Sequence, residues 1–223
     1  VRWHVIADPA ILAREVAALI LMQADAAITE CGEFRIALAG GSTPEAVYRL
    51  LGDAAARWSG WRIFFGDERC LPPQDPERNS VMAARSWLDR VPIPPANIHA
   101  IPAELGPEAG ARAYTDTVRK ALPFDLVLLG MGEDGHTASL FPGQRHSAPE
   151  LVHPVHGAPK APVERVSLGL AALNAAAKVI ILVTGRSKRD AVRQWKRGVA
   201  LPVASVSPPA GVDVYLDAAA ADQ

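Results

Sequence analysis

Four short, almost uninterrupted apolar runs, FRIALAG, WRIFFGDER, FDLVLLG and KVIILVTG, recur along the chain with helix-spaced segments between them. A strand that is apolar on both faces must be covered on both, and intervening helices supply that cover. The pattern predicts an α/β fold: a doubly wound, mainly parallel sheet with helices on both faces, Rossmann-like in plan. Local signals place the helices. Asp8-Pro9 reads as a cap and first helical position ahead of Ile11, Val16, Leu19, Ile20 and Ile28 at helical spacing. PEAVYRLLG, NSVMAARSWLDRV from about Asn79, GPEAGARAYTDTVRKALP and SKRDAVRQWKRG read as further helices, and VDVYLD as a final strand. Much of the stretch between FDLVLLG and KVIILVTG is less regular, and the closing AAAADQ reads as a frayed end.

Residues 1–223, 49% apolar and 21% charged, suffice for one domain with its own core. A formal charge of -1 provides no general basic field for nucleic acid or an anionic membrane, so any bound anion must be held by local charges. AALILMQADAA, bracketed by Arg14-Glu15 and Asp25, is too short to span a bilayer. Cys31 and Cys70 are too few for a disulfide framework and lack metal-ligand spacing. These features lead us to expect a cytoplasmic protein with neither nucleic-acid nor membrane partner.

In a parallel sheet all strand carboxyl ends share one edge, and ligands bind in the crevice there. The apolar runs deliver to that edge GGSTP (40–44), GDER (66–69), GMGEDGH (130–136) and TGRSK (184–188). Gly40 and Gly41 allow close backbone approach, Ser42 and Thr43 add hydroxyls, and Pro44 starts a helix whose N–H groups suit a phosphate. The same segment also fits a plain turn with Thr43 as N-cap. Residues 130–135 match G-x-G-x-x-G, but Pro142-Gly143 interrupts the helix that dinucleotide binding needs. Those glycines instead suit a bend presenting Asp134 and His136. An imidazole in a polar crevice can take a proton from water and return it, with Asp134 or Asp67 orienting the ring. Arg165, Lys188 and Arg69 are the cations expected at the edge. His146, His153 and His156 lie close in sequence, but no carboxylate or cysteine completes a ligand set around them, and no metal is assigned.

ALAGGSTP, FFGDERCLPP, FDLVLLGMGEDGHTASLFP and VERVSLGLAALNAA followed by VTGRSK resemble, in order and spacing, the 6-phosphogluconolactonase family, part of a superfamily with the glucosamine-6-phosphate deaminases and isomerases. The resemblance runs from about Phe34 to Lys188. It implies the same α/β fold and hydrolysis of 6-phosphogluconolactone to 6-phosphogluconate, the second step of the oxidative pentose phosphate pathway, with no metal or organic cofactor. The implied partner is a small phosphosugar lactone. By this likeness His136 is the catalytic base, supported by Asp134, Asp67 and Arg69, while Gly40, Gly41, Ser42, Thr43, Arg165 and Lys188 hold substrate. The chain departs from the family at Gly169 and Ala171, near Arg165, where threonine and proline are frequent.

Three other readings compete. In the deaminases a glutamate stands five places after the histidine; here that place holds Phe141. Ser42 could act as a hydrolase nucleophile, though Pro44 replaces the second glycine of the usual elbow. A phosphosugar-binding protein without catalysis is the third.

Overall fold

The structure, a computed structural model, describes residues 1–144 and 149–221. Six strands form a fully parallel sheet: β1 (Arg2–Ile6), β2 (Phe34–Leu38), β3 (Trp61–Phe65), β5 (Leu126–Gly130), β8 (Val179–Val183) and β9 (Val212–Asp217), in the order β1-β9-β8-β5-β2-β3. Between them run α1 (Pro9–Cys31), α2 (Ser42–Gly52), α3 (Asn79–Ser86), α4 (Pro107–Ala121), α5 (Leu170–Asn174) and α6 (Arg189–Lys196). The four apolar runs occupy the middle and one flank of the sheet, where Ile36, Ile63, Leu128 and Ile181 are wholly buried. The order reverses between β2 and β5: connections from β2 run outward to β3, those from β5 run the other way to β8 and β9. Right-handed crossovers then lie on opposite faces, giving the doubly wound plan. The reversal also opens a crevice at the carboxyl ends of β2 and β5.

Several local readings hold. Asp8 Oδ1 accepts the N–H groups of Ala10 and Ile11 at 2.9 and 2.8 Å, Pro9 opens α1, and Gly32 closes it in the left-handed region at φ 81°. Others are corrected. α2 starts at Ser42 with Gly41 as its cap residue, so Thr43 is not the N-cap. α3 stops at Ser86 because Trp87 leaves helical geometry (φ -149°, ψ -60°), its buried indole packing 5.4 Å from Trp61. The end of the chain is not frayed through Ala221: Asp217 accepts from Ala220 N through its carboxylate at 2.8 Å, and Ala220 and Ala221 are buried.

β1 was not foreseen. It joins the sheet only through β9, where Asp213 accepts Arg2 Nε at 2.7 Å and contacts His4 Nε2 at 2.8 Å. The Arg2 guanidinium is the largest cause holding the Asp213 carboxyl down at about 2.

A second sheet was also unforeseen. β4 (Asp67–Arg69), β7 (Arg165–Leu168) and β6 (Val152–Val155) pair antiparallel in the order β4-β7-β6, so GDER is a strand rather than a loop. In this ladder Asp67 faces Ser167 and Arg69 faces Arg165. Because strand side chains alternate, these four share one face while Glu68 and Val166 take the other. No helix among the described residues is long and apolar enough to cross a membrane.

Candidate active site

The carboxyl ends of β2 and β5 and the Asp67 face of the small sheet enclose a cavity of about 210 Å³, and Gly40, Gly41, Gly132 and His136 contribute to its wall. His136 sits on the turn after β5. Its Nδ1 lies 2.6 Å from Asp134 Oδ1, and the same oxygen accepts the His136 backbone N–H at 3.1 Å. Burial alone raises the Asp134 carboxyl, but the His136 backbone N–H and imidazole outweigh it and hold the group below its ordinary value. The ionised carboxylate can only accept, so Nδ1 is the donor of this pair, and in the neutral tautomer that donates from Nδ1 it is Nε2 that carries the lone pair. Among the described residues nothing is bonded to Nε2, and the ring packs 4.6 Å from the buried Phe141 ring. Gly132 makes this pairing possible, since a Cβ there would fall 2.0 Å from His136 Nδ1.

Asp67 does not bond to the imidazole. Its oxygens accept from Asn79 Nδ2 at 3.0 Å and Ser139 Oγ at 2.6 Å, which fixes it in the wall of the cavity. Of the two candidate carboxylates, Asp134 is therefore the one on the ring. Arg69 and Arg165 line the cavity from the same face. Arg165 is nearly buried, donates Nε to Pro162 O at 2.9 Å and Nη2 to Lys160 O at 2.8 Å, and lies over Phe141. Arg69 donates to Glu77 O. Burial lowers the pKa of Arg165 and of Lys188, which enters from the segment after β8.

Gly40 and Gly41 form part of the wall, but Ser42 and Thr43 do not. Ser42 is exposed, and no hydrogen bond joins it to His136 among the described residues. The Thr43 hydroxyl instead meets Thr184 Oγ1 at 2.6 Å, tying the segment after β2 to the one that carries Lys188.

The family model described as glucosamine-6-phosphate isomerases/6-phosphogluconolactonase matches residues 7–215. The chain belongs to this family. A 6-phosphogluconolactonase of Nostoc sp. is 38% identical over 219 residues, covering 91% of this chain and 89% of its own. The solved 6-phosphogluconolactonase of Thermotoga maritima superposes with a TM-score of 0.90 at 27% identity, covering 97% of this chain and 99% of its own. A monomeric glucosamine-6-phosphate deaminase superposes at 0.87 with 22% identity, covering 99% and 98%, so fold alone does not choose between the two chemistries.

Two contributors to this cavity escaped the sequence reading. Lys160 lines the cavity from a segment without periodicity. Glu68, fully buried, caps α3 by accepting Asn79 N at 2.7 Å and Ser80 N at 2.9 Å, with Arg78 Nε 3.5 Å away. That cap sets Asn79, and through it Asp67. No sequence signal marked Glu68, since all three residues of DER are charged. Gly135 is followed by turns rather than a helix, which removes the scaffold of a dinucleotide site. His153 pairs with Glu150, while His156 pairs with Glu108 and Glu164; His146 lies outside the described residues.

Proposed function

We propose that the chain hydrolyses 6-phosphogluconolactone to 6-phosphogluconate, the second step of the oxidative pentose phosphate pathway. One observation carries the mechanism: an imidazole whose Nδ1 is held by Asp134, with Nε2 unengaged among the described residues, lines a cavity together with Arg69, Arg165 and Lys188. The phosphate anchors on Arg165, Lys188 and the Gly40-Gly41 backbone, setting the lactone carbonyl beside water on Nε2. His136 takes a proton as the water oxygen bonds to the carbonyl carbon. Arg69 and glycine N–H groups stabilise the oxyanion. The bond from carbon to ring oxygen then breaks, and the imidazolium returns the proton to that oxygen. A lactone is already reactive, so positioning by a remote phosphate suffices.

The deaminase reading is disfavoured by Phe141, whose buried ring occupies the place beside His136 where a second proton-carrying group would stand. We also take residues 1–223 as one catalytic domain acting in the cytoplasm; the pair of free thiols, Cys31 and Cys70, agrees with a reducing setting. The test generates the lactone in situ and follows its loss with and without protein, against its spontaneous decay. Accelerated loss is expected; decay at the blank rate would reject the proposal, and ammonia release from glucosamine 6-phosphate would favour the deaminase.

A further inference from the structure

Lys160 reaches the cavity from the segment 157–164, and its ammonium lies 3.5 Å from Glu133 on the turn that carries His136. Both side chains are largely exposed, at 67% and 52%. An ion pair this open to water is weak and exchanges partners readily.

The backbone beneath Lys160 is fixed. Ala158 N donates to Val163 O at 2.9 Å, Cys70 N donates to Glu164 O at 3.0 Å, and His156 is clasped between Glu164 and Glu108. The Lys160 carbonyl accepts Nη2 of Arg165 at 2.8 Å, so this segment also aims that guanidinium. Lys188 shares the cavity and lies close enough to feel Glu133, Lys160 and Asp134 electrostatically. The Thr43–Thr184 contact holds the Lys188 segment near the start of α2, where free N–H groups favour an anion. Among the described residues four cations thus line the cavity, Arg69, Arg165, Lys188 and Lys160, and Glu133 pairs with Lys160, the most exposed of them.

We propose that Lys160 is a further substrate-binding residue that grips the phosphate, and that Glu133 is a resident counterion the phosphate displaces. This rests on the phosphosugar reading above. A phosphate offers three strong acceptor oxygens and about 1.5–2 negative charges against the single charge of a carboxylate, so the exchange favours phosphate. The ammonium needs only a side-chain rotation, since its backbone stays in place.

The experiment measures kcat and KM for the lactone, and separately the Kd of inorganic phosphate, in wild type, Lys160→Gln, Lys160→Arg and Glu133→Gln. Losing one charge-assisted contact should raise KM and Kd roughly tenfold in Lys160→Gln. Its kcat should stay within about twofold and its urea midpoint should not move, because the side chain is exposed. Lys160→Arg should restore most of the affinity, and Glu133→Gln should tighten phosphate binding severalfold. An unchanged phosphate Kd in Lys160→Gln, a fall in kcat alone, or a wild-type protein that does not bind phosphate would overturn the assignment. The binding arm requires no turnover, so it separates failure of this proposal from failure of the lactonase reading.

Discussion

The six-stranded and three-stranded sheets meet at one cavity but are held together by different forces. In the large sheet, aliphatic side chains such as Leu128 and Ile181 are buried on strands whose hydrogen bonds are all parallel. In the small one, polar groups do much of the work: Asp67, Glu68, Arg165 and Ser167 are all buried. Each polar burial costs energy unless partnered, and each of these has partners. The large sheet supplies a stiff edge from which His136 and Lys188 are hung, whereas the small sheet supplies Asp67, Arg69 and Arg165 as one charged face. Apolar burial fixes where the site is; polar burial fixes what it can hold.

This contrast can be broken at its strongest points. Removing the imidazole in His136→Ala should cut kcat by about 10²–10⁴ with the urea midpoint nearly unchanged, since catalysis and not packing is lost. Near-normal turnover would remove His136 from the mechanism. Glu68→Ala removes one of two carboxylates beside the buried Arg78, the other being Glu104 at 2.9 Å, and uncaps α3, so we expect a loss of about 1–3 kcal/mol by urea denaturation. KM should rise as well, because Asn79 no longer fixes Asp67. In the large sheet, Ile181→Val should cost only about 0.5–1.5 kcal/mol and leave kcat and KM alone. If it altered KM while Glu68→Ala did not, the proposed division between the sheets would be wrong.

Asp213 is an exception that sharpens the rule, being a buried carboxylate inside the apolar sheet. The carboxyl is held at about 2 in the fold, below the usual aspartate range, so its contribution is present above that range and lost as pH falls toward 2. The urea midpoint of wild type should therefore decline across that window, whereas Asp213→Asn should be weaker at neutral pH and decline less. An identical acid slope in both would show that Asp213 does not hold β1.

The large sheet was legible because its strands are apolar on both faces and FRIALAG or KVIILVTG can hardly be anything else. β1, RWHVI, was not, because it is a half-exposed edge strand with alternating polarity and pairs with a segment some 200 residues away. The small sheet was hidden for a related reason. DER and RVSL are short, polar or mixed, and make sense as strands only once their ladder partners are known. His136, Asp134, Arg165 and Lys188 could be named because glycine-rich loops or charged residues at strand ends flag them. Ser42 and Thr43 drew notice for the same reason but do not line the cavity, because the helix begins at Ser42 and Thr43 turns to Thr184.

The position of β9 between β1 and β8 makes sheet assembly dependent on chain order. During synthesis β1 would wait, exposed and unpartnered, until β9, some 200 residues later, had left the ribosome. β9 would then act as the keystone, closing a gap whose two sides were translated far apart in time.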